Sequence, residues 1–228
     1  MSPDLPQLVP VENANAVAFL ILSNARFFDE IVSGYRPDTE SSNFVDQTVD
    51  VILDRIKRDF HPDTRLRVWN TDRAPFFHVQ TLGHVAGATE YVPPSSLVPR
   101  KEGDVIGNRD PCIWGSAASS VLGVSIHPKY GGWFAFRILI VMEGVTWPTG
   151  VEKSTPLNFL SAKDKDIIVY EYNKNPDLAR WRDFNNGQYI LEKYDTAQYL
   201  YFHENSTAKR RRILELLQEE RIELLRKR

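Results

Sequence analysis

Five histidines (His61, His78, His84, His127 and His203), a single cysteine (Cys112) and the basic run KRRR at 209–212 are the side chains of this chain with the most obvious chemical reach. Their spacing offers little to a metal. His78 and His84 are six positions apart, which on a helix sets them on different faces, and one cysteine excludes both an internal disulfide and a multi-thiolate centre. Each histidine alone reads more readily as a hydrogen-bonded core or surface residue, and Cys112 as a small inert one, with a catalytic thiol as the alternative. Signatures of other chemistries are missing: there is no Gly-rich loop followed by Lys-Ser or Lys-Thr, no G-x-G-x-x-G after a strand, no His-Glu-x-x-His and no G-x-S-x-G. KRRR is followed at once by Glu215, Glu219, Glu220 and Glu223, the pattern of a solvated helix face. A formal net charge of −2 gives no global attraction to phosphate polymers, so no nucleic-acid partner is expected.

The densest chemistry lies in GVSIHPKYGGWFAFR, residues 123–137. Gly131-Gly132 would suffice for a hairpin turn, since only residues tolerating positive φ match the twist of the flanking strands. His127, Pro128, Tyr130 and Trp133 then exceed what a turn requires, and a well-packed turn and a functional tip both stay open. Arg137 stands in an otherwise apolar strand. Burying an unpaired guanidinium is disfavoured, so it must meet either an internal carboxylate or an anionic ligand.

The elements that would carry these residues follow from periodicity. AVAFLILS at 16–23 reads as a strand covered on both faces, and Asn24 as the cap of a helix through NARFFDEIVSGY. Val45, Val49, Ile52, Ile56 and Phe60 recur at helical steps until His61-Pro62-Asp63. RLRVWN at 65–70 is a short strand, FFHVQTLGHVAGATEY at 76–91 a helix, and 93–119 a long loop without period. A hairpin with arms at about 120–127 and 132–142 comes next. LSAKDKDIIVYEYNKN is helical, WRDF at 181–184 a turn, and a last helix runs over about 207–227 behind Ser206 or Thr207. With 228 residues, 42% of them hydrophobic, one α+β domain is expected, a mostly antiparallel sheet flanked by helices. No apolar run is long enough for a bilayer, and MSPDLPQLVP lacks the features of a signal peptide, so the protein reads as cytoplasmic, without a membrane partner.

HVAGA at 84–88 and GVSIHPKYGGWFAFR, in this order, resemble the hallmark segments of the CblC family of cobalamin-processing proteins, cyanocobalamin reductases and alkylcobalamin dealkylases. VAFLILS followed by FFDE, VDQ at 45–47, QT at 80–81, WRD at 181–183 and YF at 201–202 extend the likeness from about Val17 to Leu217. The resemblance implies a nitroreductase-like fold and cobalamin bound base-off, its benzimidazole detached from cobalt. It also implies two reactions: reductive decyanation fed by FAD or FMN, free or on a flavoprotein reductase, and dealkylation by glutathione. Asp59-Phe60-His61 begins like the Asp-x-His-x-x-Gly that supplies a lower histidine ligand elsewhere, but Thr64 replaces the glycine, so no such ligand, no protein-held metal and no acid–base catalytic side chain are expected.

Matched segment by segment, the implied cobalamin contacts are Phe77, His78, Val79, Gln80, His84, Tyr91, Val92, Ser125 and Phe136, and the implied glutathione contacts Arg137 and Arg210. Gly123 and Ser125 would let the ligand approach the backbone. His84 has a bracing hydrogen bond as an equal alternative. Phe184-Asn185-Asn186-Gly187-Gln188 stands where the family has a further glutathione arginine, which implies weakened glutathione affinity. A downstream cobalamin-trafficking protein and a ligand-dependent homodimer complete the implied partners. A non-catalytic carrier or chaperone, and a flavin oxidoreductase for another substrate, stay open beside this function.

Overall fold

The computed structural model describes residues 15–35, 44–60, 65–70, 78–98, 121–152, 154–176, 179–184, 190 and 192–226. In chain order its elements are β1 (Ala16–Ser23), α1 (Phe27–Gly34), α2 (Phe44–Asp59), β2 (Arg65–Asn70), α3 (Val79–Val85), β3 (Glu90–Val92), β4 (Val124–Ile126), β5 (Ala135–Thr146), α4 (Ala162–Lys174), α5 (Thr196–His203) and α6 (Thr207–Arg226), with 3₁₀ turns at Pro94–Ser96 and Arg180–Asp183. They form two compact units. The first draws its described residues from 75–134 and 150–191, the second from 11–74, 135–149 and 192–228.

The second unit is organised by an antiparallel sheet of order β1-β5-β2. β5 is apolar on both faces and needs a neighbour on each edge, which explains its central place. Ile138 and Ile140 of β5 bury against Val49 and Leu53 of α2, a helix whose Asp46 in the first turn and Lys57 and Arg58 in the last complement its dipole. A second cluster joins Phe28, Ile31 and Val32 of α1 to Phe44, Tyr201 and Leu214. Gln218 of α6 clips it by donating to the carbonyls of Val32 and Tyr35.

Pairing between β1 and β5 is not uniform. Ile21 faces Ile138 but Leu22 faces Phe136, so Arg137 is an extra residue on β5, a bulge. Two-residue alternation along β5 is therefore broken at the arginine.

The first unit holds a two-stranded antiparallel sheet, β3 against β4. Val92, Val124, Ile126, Ile168, Val169 and Trp181 form its core. Ser161 caps α4 by accepting from the Asp164 amide.

Four expectations are corrected. The helix over 76–91 shrinks to Val79–Val85, because the chain turns at Gly87, φ +70°, and enters β3. The hairpin does not form, since β4 pairs with β3 while β5 pairs with β1 and β2. Alternation marks a strand but cannot name its partner. β1 is not covered on both faces, for Phe19 is half exposed. Asn24 does not cap α1 with its side chain; its Nδ2 donates to Glu192, and the helix starts after Arg26.

Candidate functional site

In the first unit a small polar cluster forms where α3, β3 and β4 meet. His78 caps α3, its Nδ1 accepting from the Thr81 amide at 3.3 Å and lying 2.7 Å from Thr81 Oγ1. Burial lowers its pKa, so the ring is neutral and free to accept. The same ring meets Tyr91 edge-on, centroids 5.1 Å apart. On its other side Tyr91 lies over Gly123, where an added Cβ would fall 2.7 Å from the phenol ring carbons. Gln80 Nε2 donates to the Gly123 carbonyl at 3.1 Å. Ser125, paired across the sheet with Tyr91, is 5% exposed, and its hydroxyl has no partner among the described residues. A buried hydroxyl left unsatisfied is costly and marks a place where a ligand could bond. His84 Nδ1 lies 3.3 Å from the Thr89 carbonyl and 3.4 Å from the Tyr91 amide. Its tautomer selects one of the two, and either ties α3 to β3. Glu90 anchors the strand from behind, accepting from the amides of Phe159 and Leu160 and pairing with Lys165 at 2.6 Å.

The surplus residues of GVSIHPKYGGW are explained by packing within this unit. His127 and Gly131 exchange two backbone hydrogen bonds of 2.8 Å, with Gly131 at φ +58°. His127 Nδ1 accepts from the amides of Lys129 and Tyr130, and burial, reinforced by the Lys129 charge, takes its pKa down to about 4. The tip then docks on the 3₁₀ turn Arg180–Asp183. Gly132 N donates to the Arg182 carbonyl at 2.8 Å, Trp133 Nε1 donates to Asp183 at 2.8 Å, and the Arg182 guanidinium covers Trp181. A Cβ on Gly132 would stand 2.9 Å from Arg182 Cα, so glycine here serves close approach as well as the turn.

The second unit holds a cationic cluster. The bulge on β5 turns Arg137 inward, where it is 9% exposed. Its Nε donates to Ser23 Oγ at 2.8 Å and its guanidinium lies over Phe27 and Phe202, 5.3 and 6.0 Å from the ring centroids. Arg137, Ser23, Asn24, Arg26 and Phe27 line a cavity of about 270 Å³. Arg210 of α6 lies 5.8 Å over Tyr201, and its buried Nε has no partner among the described residues.

Known proteins place this arrangement in a lineage. The model of the methylmalonic aciduria and homocystinuria type C (MMACHC) family matches residues 6–214. The chain belongs to this family. A Gallus gallus protein named cyanocobalamin reductase / alkylcobalamin dealkylase is 33% identical over 197 residues, 82% of this chain and 75% of the relative. A Bos taurus protein of the same name is 29% identical over 216 residues, covering 89% of this chain and 68% of the relative. The crystal structure of a C. elegans B12-trafficking protein CblC, a human MMACHC homologue, has a similar fold, with TM-score 0.65, 24% identity, and coverage of 90% of this chain and 80% of that one.

Against the MMACHC family expectations, His78, Gln80, Tyr91 and Ser125 come together in one cluster. Val79 opens α3 beside them. Val92 has its side chain in the core, so only its backbone faces outward chemistry. His84 serves as the backbone brace described above. Gly123 makes room for Tyr91. Phe136 lies on β5 of the other unit, next to Arg137. Arg137 and Arg210 share a neighbour the sequence reading passed over: both guanidiniums act on the Tyr201 hydroxyl. The dipeptide Tyr201-Phe202 was legible as a family segment, but nothing in its spacing announced contact with either arginine. Phe77 and 185–189 lie outside the described residues. Among the described residues no group of histidine, cysteine or carboxylates could hold a metal, and no helix is long and apolar enough to cross a membrane.

Proposed function

We propose that this protein binds cobalamin base-off and removes its upper axial ligand. Cyanocobalamin would be decyanated reductively and alkylcobalamins dealkylated by glutathione, in a nitroreductase-like chain working as a single processing domain in the cytoplasm. The observation that carries the reading is the unsatisfied Ser125 hydroxyl beside Tyr91, in the cluster built by His78 and Gln80. It offers a donor in a strand that is otherwise apolar, as a ligand fringed with amides requires. Relatives named for both reactions support the same conclusion.

Neither reaction needs an acid or a base side chain. In dealkylation the thiolate sulfur forms a bond to the alkyl carbon, the carbon–cobalt bond breaks, and its electron pair stays on cobalt as Co(I). Loss of the lower nitrogen donor makes cobalt the better electron acceptor and leaving group, since axial ligation is the main lever on its electronics. The protein's part is orientation. Arg137 and Arg210 would hold the glutathione carboxylates, for which the guanidinium fork is suited. Decyanation takes electrons from a reduced flavin and releases cyanide; none of the described residues is assigned to that flavin. The freed cobalamin would pass to a trafficking partner.

The test is spectroscopic. Methylcobalamin mixed with the protein should shift to the base-off spectrum, and added glutathione should then convert it to reduced cobalamin with release of S-methylglutathione. An unchanged base-on spectrum refutes the binding reading; a base-off spectrum that glutathione never alters leaves a carrier. Arg137→Ala should slow the glutathione step without changing the base-off shift.

A further inference from the structure

We propose that two copies of this chain pair through the outer face of α6, antiparallel about a two-fold axis at Leu216. Only part of the α6 charge is used in packing within the chain. Arg210 and Arg211 turn toward the core, their guanidiniums 5.8 and 5.9 Å from the ring centroids of Tyr201 and Phe44, on the side where Leu214 is fully buried. Lys209, Arg212, Leu216, Glu219, Glu220 and Glu223 share another face, an arc of about 100° on an α-helix. Leu216 is 48% exposed there. With Ile213 and with Leu200 of α5, itself 55% exposed, it floors a groove of about 370 Å³ that Lys209 and Arg212 rim. An apolar floor open between two helices is a surface suited to a partner.

The order of charges along this face identifies that partner as a second α6. Basic residues stand four and seven positions before Leu216, at Arg212 and Lys209, and acidic ones three, four and seven after it, at Glu219, Glu220 and Glu223. Two such faces laid antiparallel with Leu216 on Leu216 bring the basic turn of each copy over the acidic turn of the other, about 5–10 Å along the helix from the axis point. A parallel arrangement would instead set like charges together. The contact does not require idle charges in the single chain. Lys209 already pairs with Glu204 at 3.4 Å and Arg212 with Glu215 at 3.3 Å, with the two basic side chains 73% and 60% exposed. Pairs this exposed exchange partners at little cost. One helix face with a single leucine at its centre buries little area, so the association is weak and depends on salt. It needs no cobalamin, which separates it from a ligand-dependent homodimer and makes it independent of the function proposed above.

Sedimentation velocity of the cobalamin-free protein reads the pairing. At low ionic strength the chain should pass from monomer to dimer with a Kd on the order of 100 μM, and added salt should move it back toward monomer. Leu216→Asp sets two carboxylates together at the axis and should keep the chain monomeric. An acidic variant, Lys209→Glu with Arg212→Glu, and a basic one, Glu219→Lys with Glu220→Lys, should each weaken self-association at least about tenfold, because like charges then face each other. An equimolar mixture of the two should form heterodimers, and adding Leu216→Asp to both should abolish them. All five positions are exposed, so the variants should keep the circular dichroism spectrum of the parent. A monomer at every concentration overturns the proposal, as does a dimer that appears only when methylcobalamin is added. So does a dimer that Leu216→Asp leaves intact, or a charge-swapped mixture that stays monomeric while the parent chain dimerises.

Discussion

Gly123→Ala tests whether Tyr91 is held by lack of space. In the native arrangement an added methyl would sit 2.7 Å from the Tyr91 Cε2 and Cζ, well inside van der Waals contact, and His78 packs against the same ring. The ring must swing or the strand must shift, an overpacking cost of about 1–3 kcal/mol. Gly123 does not require positive φ, so alanine also recovers about 0.4–1 kcal/mol by restricting the unfolded chain. The net expectation is a loss of about 1–2 kcal/mol, a fall of roughly 2–8 °C in unfolding temperature for a chain of this size. In a Tyr91→Ala background the obstacle is gone, and the same Gly123→Ala change should be neutral or slightly stabilising. A double-mutant cycle followed by thermal unfolding should thus give a coupling of about 1–3 kcal/mol. Cobalamin affinity should fall in Gly123→Ala alone as Tyr91 leaves its place. Equal costs of Gly123→Ala in both backgrounds would refute the packing account.

Two further predictions concern the supports of the same unit. Glu90→Ala strands the Lys165 ammonium and the amides of Phe159 and Leu160, so breaking this buried pair should cost about 3–5 kcal/mol, while Glu90→Gln keeps an acceptor and should cost less; denaturant titration of the pair decides it. His127 has a folded pKa of about 4 against an ordinary 6.5, so the unfolded chain binds its proton first as pH falls. Stability should decline from about pH 6.5 and level off for this group below about pH 4. Linkage allows about 3 kcal/mol, discounted to roughly 1–2 kcal/mol for partial exposure. His127→Asn, which keeps an acceptor for the Lys129 and Tyr130 amides, should flatten the pH dependence of the unfolding temperature; superimposable profiles would contradict the assignment.

Elements whose signal is internal to the segment were legible in the sequence. The apolar steps from Val45 to Ile56 became α2, RLRVWN became β2, and Thr207 opens α6 where a cap was expected. What failed was long-range. The apolar arms on both sides of Gly131-Gly132 suggested a hairpin, yet β5 pairs along both its edges with two distant strands. The arginine in an apolar strand was visible as an anomaly, but its resolution by a bulge depends on the register against β1, which no local pattern encodes. The polar cluster was reached through family segments; the reason His78 and Gln80 belong with Tyr91 and Gly123 is the meeting of α3 with β3 and β4 in space.

The clip between α6 and α1 bears on how the protein is born. Gln218 bonds to a carbonyl 186 positions earlier, and Leu214 fills the cluster that Phe28 and Ile31 begin. At about 5–20 residues per second, on the order of ten to forty seconds of translation separate the two halves of that core. During this interval the apolar face of α1 is on the ribosome-bound chain without its lid, and the long loop that α6 must close adds to the entropy of bringing it back. A nascent chain arrested before Leu214 therefore offers Phe28, Ile31 and Val32 to whatever binds greasy helices, and chaperone occupancy of this protein should be governed by the arrival of its last helix.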